Sequence, residues 1–329
     1  MVVFLLRRVG HALLVMLVVG LLAFVLFRYA GDPLTFLVGA EVPADERERV
    51  RIELGLDDPL LVQFLRFLAN AAQGEFGVSY QLSKPVVEVI AVRIPATLEL
   101  AFAATLFALG CGIPMGVHAA LWPRSPLSRL FMAVSLAGIS VPSFFLGVLL
   151  IYWFSVILPI FPSFGRGELR AVGDWWTTGL ATTGGLRSLV LPAITLGLFQ
   201  LAFMVRLVRA EMMEVLHADF IRFARARGLR ERTVNFGHAL RNALIPVITV
   251  AGLQIGSLTA FAIITETVFQ WPGLGFLFVS AIRSVDIPVM AAYLLLVGAF
   301  FVAVNLVVDL LYLAVDPRLR LNRAELGGH

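Results

Sequence analysis

The sequence has few charged residues, a single cysteine and a single lysine. Only 15% of its 329 residues are charged and 59% are hydrophobic, whereas soluble domains carry about 25% charged residues. One globular core cannot bury such an excess of apolar side chains, because surface area limits burial in a domain of this size. Lipid must therefore surround most of the chain. The single cysteine, Cys111, excludes a disulfide-stapled secreted module.

The shortage of lysine argues against ATP hydrolysis by this chain. A P-loop needs a glycine-rich loop that ends in Lys and then Ser or Thr, and no such loop precedes Lys84. The histidines are scattered, whereas metal ligands are clustered. We therefore predict that the chain is not an enzyme and has no catalytic residue, metal or cofactor of its own. Membrane lipid is an expected partner and nucleic acid is not.

Six apolar runs are each long enough to cross a bilayer, which takes about 20 residues. The first run exceeds the apolar stretch of a signal peptide, about 7–15 residues, and is interpreted as a retained span. The predicted spans lie near Val9–Phe27, Thr97–Leu121, Leu130–Leu158, Leu189–Val208, Leu244–Val268 and Val289–Val315. Arginines concentrate in the segments that are cytoplasmic if the N-terminus is inside. We predict an all-α membrane protein of six transmembrane helices with both termini in the cytoplasm.

The segments outside the predicted spans differ in character. Alternating charges at Asp45–Arg51 and helically spaced apolar residues in Leu60–Leu68 indicate a small helical extracytoplasmic insert between spans one and two. A second outer segment, Pro159–Arg187, is rich in Gly, Thr and Trp and is predicted to be irregular; its Trp175 and Trp176 are candidate contacts for an external protein. The predicted parts are residues 1–30 (cytoplasmic end and first span), 31–96 (insert), 97–315 (five-span core) and 316–329 (cytoplasmic tail).

Three acidic residues lie in or near spans, where burying a charge costs at least about 2.5–3.5 kcal/mol. Glu99 is placed near the outer end of span two, Glu266 near the outer end of span five, and Asp309 toward the inner end of span six. They are candidates for the translocation path or a gate. The alternative is a structural role, with Glu99 paired to Arg93 or Asp309 to a helix end.

The cytoplasmic loop of residues 206–246 is too long and too polar to be a simple turn between spans four and five. Asp219 is predicted to cap a short helix, and Gly228 to end it. The apolar residues Phe220, Phe223 and Ala224 are predicted to share one face of that helix. An exposed amphipathic helix of this kind is typical of docking into a partner's groove. The alternative is an arginine-rich segment that serves only the positive-inside rule.

The two halves of this loop carry a family resemblance. Ala224-Arg225-Ala226-Arg227-Gly228, followed by His238–Pro246, resembles the EAA loop of binding-protein-dependent ABC importer permeases, in the form of the dipeptide/oligopeptide/nickel branch. Further matching segments are Leu54–Leu60, Gly74–Ser79, Arg93–Leu100, Glu266–Gly275, Asn305–Tyr312 and Asp316–Arg320. The sequence departs from the general consensus at Ala224-Arg225-Ala226, where an acidic residue and two alanines are usual. It also has Val285-Asp286-Ile287-Pro288 where the branch usually has Arg-Asp-Tyr-Pro.

The resemblance implies a permease subunit of an ATP-driven importer in a bacterial or archaeal cytoplasmic membrane. Its cargo would be peptides or similar small polar solutes. Its partners would be a second homologous permease, two cytoplasmic ATPase subunits that bind ATP and Mg, and an external solute-binding protein, which Trp175 and Trp176 would contact. The residues implied in coupling to the ATPase are Asp219, Phe220, Phe223, Ala224, Arg225, Ala226, Gly228, His238, Arg241, Asn242 and Pro246.

Two other classes of membrane protein fit the composition. An ion-coupled secondary transporter predicts midplane charges and inverted repeats, and neither is evident. An intramembrane hydrolase needs a Ser/His or paired-Asp constellation on facing spans, and no span offers both members at a suitable depth. A docking helix distinguishes the importer permease, because a secondary transporter has no ATPase to couple to.

Overall fold

The computed structural model describes residues 2–29, 49, 52, 57–173 and 175–315, which are mostly helical. The helices are α1 Val2–Tyr29, α2 Leu60–Ala72, α3 Val86–Ala91, α4 Ile94–Leu121, α5 Pro126–Ser140, α6 Ser143–Ile151, α7 Thr183–Leu216, α8 Asp219–Ala226, α9 Leu240–Val268, α10 Leu274–Ser284 and α11 Ile287–Val315. A π-helical segment, Tyr152–Ile157, continues α6, and another, Thr233–Ala239, leads into α9. Two short strands, β1 Arg170–Ala171 and β2 Thr177–Thr178, form a hairpin.

Several of these helices are long and apolar enough to cross a membrane. Among the described residues four such stretches occur, at Arg8–Leu26, Val86–Leu121, Thr183–Leu216 and Ile287–Val307. The pair α5 and α6 would be a fifth if it forms one broken span. Helix α9 has 29 residues, a length that at 1.5 Å per residue also exceeds the bilayer core of about 30 Å.

The third predicted span is the one that the structure divides. Residues 130–158 do not form one helix, because α5 ends at Ser140 and α6 starts after Pro142, with a bend of 110° between the two. Proline lacks an N–H and clashes with the preceding turn, so helices usually end before it. The two residues between the helices, Val141 and Pro142, have extended backbone. The predicted continuous span is therefore wrong.

The outer segments contain one helix that the sequence predicted and one hairpin that it did not. The helix expected at Leu60–Leu68 is confirmed as α2, and the charged stretch 45–51 lies outside the described residues apart from Arg49, which is helical. The segment Pro159–Arg187 is not wholly irregular, since it contains the β1–β2 hairpin, in which the Val172 N–H donates to the Trp176 carbonyl.

The described residues form two compact units, the first of which comprises those within 1–97, 171–177 and 272–302. In it, α2 packs on α1 through aromatic side chains: the Phe24 ring lies 5.4 Å from that of Phe64 and 5.9 Å from that of Phe67. Ala23, Ala291 and Leu295 form its buried centre between α1 and α11.

The first unit also contains a buried carboxylate that fixes a loop. Asp286 accepts hydrogen bonds from the Ser79 hydroxyl and from the N–H groups of Tyr80 and Gln81. Val285, just before it, has the left-handed backbone conformation that ends α10. Although Val285-Asp286-Ile287-Pro288 departs from the branch pattern, it retains the Asp that holds the loop after α2.

Tyr80 gives this loop a measurable pH dependence. Burial, and next the Asp286 carboxylate, raise the pKa of the Tyr80 phenol to about 12, against about 10 in an unfolded chain. As the pH rises, the Tyr80 phenol therefore loses its proton in the unfolded state before it does so in the folded state. The contribution of Tyr80 to the free energy of unfolding is complete below pH 10 and declines as the pH rises through about 10 to 12. We expect the melting temperature of the wild type to fall relative to Tyr80→Phe above pH 10. Parallel pH profiles of the two proteins would contradict this.

The second unit comprises the described residues within 98–170, 178–271 and 303–329, and in it α4 packs closely on α7. A Cβ on Gly116 would lie 2.8 Å from the Val205 carbonyl oxygen, and one on Gly197 would lie 2.7 Å from the Ala104 carbonyl oxygen. Small residues permit such close approach of helices in membranes. The glycines of Gly112-x-x-x-Gly116 therefore serve the packing of α4 on α7.

Candidate functional site

The loop between α7 and α9 folds back on the second unit through the short helix α8. Ile221 is fully buried and Ala224 is 8% exposed. Both belong to a buried cluster that includes Val117 of α4, Met212 of α7 and Val247 of α9. One face of α8 is therefore part of the core formed by the long helices.

The other face of α8 presents aromatic side chains. Phe220 is 47% exposed and Phe223 is 64% exposed. The guanidinium of Arg227 lies 5.7 Å from the centroid of the Phe223 ring, a cation–π geometry that restrains the ring. The sequence placed Ala224 on the same face as Phe220 and Phe223, and that assignment is wrong. Ala224 is one turn from Ile221, on the buried face.

The ends of α8 confirm one predicted cap and correct the other. Gly228 has φ +77°, its N–H donates to the Arg225 carbonyl and the Leu229 N–H donates to the Ala224 carbonyl, which is the Schellman arrangement. Asp219 is not the N-cap: Ala218 precedes the helix, and its first turn has no side-chain cap. Asp219 instead lies inside the first turn, where its negative charge favours the helix dipole, 3.4 Å from Arg222.

The remaining residues of the loop are exposed or structural. The Arg225 Nε lies 3.2 Å from a carboxylate oxygen of Glu231, which ties α8 to the segment that follows, and Ala226 is exposed. His238 and Arg241 are exposed, and the Asn242 amide donates to the His238 carbonyl. Pro246 lies inside α9. The predicted coupling residues thus lie on α8 and its C-terminal cap, on the π-helical segment Thr233–Ala239 and on the first turns of α9.

The sequence analysis missed Ile221, the side chain that anchors α8. A signal was present, since Ile221 and Ala224 have the i, i+3 spacing of a helix face. It also missed the π-helical segment Thr233–Ala239, whose Val234 and Ala239 are fully buried against the same core.

Near the start of α4 the structure forms a buried ion pair. Glu99 Oε2 lies 2.6 Å from the Arg166 guanidinium and accepts from the Gly179 N–H. Both side chains are almost fully buried, and the guanidinium also lies 6.0 Å from the Trp271 ring centroid. A structural role for Glu99 was one of the two alternatives, but Arg166 as its partner was not foreseen. The other oxygen, Glu99 Oε1, is buried without a hydrogen-bond partner among the described residues.

The other predicted residues are placed as follows. Glu266 is fully buried at the end of α9, and its carbonyl accepts from the Trp271 N–H. Asp309 lies on α11, and its side chain is outside the described residues. Trp175 is half-exposed and stacks edge-on against Trp176, with 5.4 Å between ring centroids.

Comparisons with known proteins identify membrane components of transport systems along nearly the whole chain. Residues 112–321 match the family described as "Binding-protein-dependent transport system inner membrane component", and residues 1–101 match the corresponding N-terminal family. A putative peptide transport system permease protein of Brucella abortus is 41% identical over 97% of this chain and 99% of its own length.

Two relatives in Escherichia coli K12 are about as similar. The probable D,D-dipeptide transport system permease protein DdpB is 41% identical over 88% of each chain. The glutathione transport system permease protein GsiC is 42% identical over 88% of this chain and 89% of its own. Among solved structures, an inward-facing MetNI methionine ABC transporter matches with a TM-score of 0.53 and 20% identity over 67% of this chain and 93% of that chain, which supports the fold.

Proposed function

We infer the function of this chain from its membership of the family of binding-protein-dependent transport system inner membrane components, given by the match over residues 112–321. The chain is the permease subunit of an ABC importer. We propose that it moves peptides or similar small polar solutes inward. Support for this cargo comes from relatives that are named for peptide, D,D-dipeptide and glutathione transport.

The observation that carries the mechanism is the two-faced helix α8. Its buried residues, Ile221 and Ala224, join it to the helices of the second unit, while Phe220 and Phe223 remain exposed. An exposed aromatic pair on a short helix suits a hydrophobic groove. We propose that this groove belongs to a cytoplasmic ATPase subunit. Closure of the ATPases would then favour one packing of the helices over another.

The proposed assembly has two such permeases, two ATPase subunits that bind ATP and Mg, and an external binding protein. In this arrangement the chain crosses the membrane six times with both termini in the cytoplasm, α5 and α6 together forming one broken span. The segment 31–96 is then an extracytoplasmic insert, and Trp175 and Trp176 contact the binding protein. Glu99, Glu266 and Asp309 remain candidates for the translocation path or a gate.

Affinity purification from gently solubilised membranes tests the proposal. We expect a second multi-span permease and ATPase subunits to be recovered with this chain, and ATP hydrolysis to reside in those subunits. After reconstitution with the binding protein, a dipeptide should be imported only when ATP is present. Recovery of the folded chain alone, with ion-driven uptake, would instead show a self-sufficient carrier.

A further inference from the structure

A cavity lies in the second unit at the break between α5 and α6. Its volume is about 190 Å³, and its walls are formed by residues of the break, of α7 and of α9. Most of the wall is apolar, and none of the lining residues carries a charge. A space of this size holds several water molecules or a small polar group.

One side chain of this wall has unused hydrogen-bonding capacity. Gln200 is 1% exposed, and neither its amide oxygen nor its amide nitrogen has a hydrogen-bond partner among the described residues. It lies near the middle of the 34-residue helix α7. Buried polar groups are normally paired, so an unpaired amide at this depth points to a ligand. Gln254 of α9 places a second amide in the wall of the same cavity.

The helix break adds backbone groups to the same wall. Gly138, Val141 and Pro142 all line the cavity. The end of a helix leaves carbonyl groups, and its start leaves N–H groups, without partners inside the helix. No side chain caps the start of α6. Non-helical backbone at membrane depth is tolerated where it lines a polar cavity, and broken helices form the binding sites of several transporters.

We propose that this cavity binds a peptide group of the cargo during translocation, with the Gln200 amide as its main contact. A glutamine side-chain amide can donate a hydrogen bond to the carbonyl of a peptide group and accept one from its N–H. Because the wall is uncharged, the site recognises the peptide backbone of the cargo and does not select for the charge of the cargo's side chains. This inference rests on the proposed function, since it requires that the chain carries peptides.

The test compares two cargoes in two proteins. The complete importer, reconstituted in vesicles, is supplied with its binding protein saturated by alanyl-alanine or by the analogue methylated at the peptide nitrogen. Gln200→Leu removes the amide at similar volume. Thr105→Val is the matched control: it also removes a polar group from a transmembrane helix, but Thr105 does not line the cavity, and its hydroxyl already donates to the Ala101 carbonyl. Thermal unfolding of each complex shows whether the variants remain folded.

We expect Gln200→Leu to reduce import of alanyl-alanine about tenfold, since two hydrogen bonds are lost, and Thr105→Val to leave it unchanged. The wild type should import the methylated analogue more slowly, and Gln200→Leu should abolish that discrimination, because the two changes remove the same contact. Undiminished import by a folded Gln200→Leu, or undiminished discrimination in it, would overturn the inference alone. If the wild type imports neither peptide, the proposed peptide cargo is itself overturned, and this inference with it.

Discussion

Replacing Phe223 by Glu should uncouple ATP hydrolysis from import while leaving the protein in the membrane. Phe223 is the most exposed aromatic side chain of α8 and is not part of the buried cluster that holds Ile221 and Ala224, so the change should not disturb folding. Truncating an aromatic anchor at an interface weakens binding by about 2 kcal/mol or more, which is roughly 30-fold. A buried carboxylate in the partner's groove adds to that loss. We expect import to fall by at least that factor and ATPase recovery with the permease to fall in parallel.

Two variants make the result specific to the exposed face of α8. Phe223→Leu keeps an apolar side chain and should retain most import. Ala224→Glu places a carboxylate in the buried cluster and should lower the amount of folded protein, a different outcome from uncoupling. Normal import by Phe223→Glu would show that α8 does not dock.

Replacing Glu99 by Gln should destabilise the protein by about 3–5 kcal/mol. Removing one partner of a buried ion pair leaves the other charge uncompensated, and here the remaining charge is the Arg166 guanidinium, which is almost fully buried. We expect a lower melting temperature of the purified complex and less protein in the membrane. An unchanged melting temperature would refute the structural role of the pair.

A double variant distinguishes a structural role of Glu99 from a role in the translocation path. Glu99→Leu combined with Arg166→Met replaces the pair by apolar side chains, which is often neutral or stabilising for buried pairs. If Glu99 is structural, this double variant should recover both stability and import. If the Glu99 Oε1 atom contacts cargo, the double variant should be stable and still fail to import.

The class of fold was predictable because composition and long apolar runs depend directly on whether lipid or water surrounds the chain. The sequence could not predict which proline breaks a helix. Pro114, Pro192 and Pro246 lie inside α4, α7 and α9, whereas Pro142 separates two helices. All four lie within the predicted spans, and neighbouring helices decide whether the freed backbone groups are satisfied.

The candidate site was predictable where its cause is local. Gly228 ends α8 because glycine adopts positive φ without strain, a property of one residue. The inward face of α8 was ambiguous in the sequence. Ile221 and Ala224 have the i, i+3 spacing of a helix face, but so do Phe220 and Phe223, and only the surrounding helices select Ile221 and Ala224 for burial. The pair of Glu99 with Arg166 joins residues far apart in the chain through an irregular segment, for which no periodic pattern exists.

The separation of α8 into a buried and an exposed face divides its residues into two independent sets for protein engineering. Ile221 and Ala224 must fit the packed interior of this permease, in which even one added methylene is felt. Phe220 and Phe223 are not part of that cluster, and in the proposed docking they face the ATPase. Redirecting the permease to a different ATPase should therefore require exchange of the outer residues alone. Transplanting the whole helix from another permease would instead carry over an inner face made for a different core.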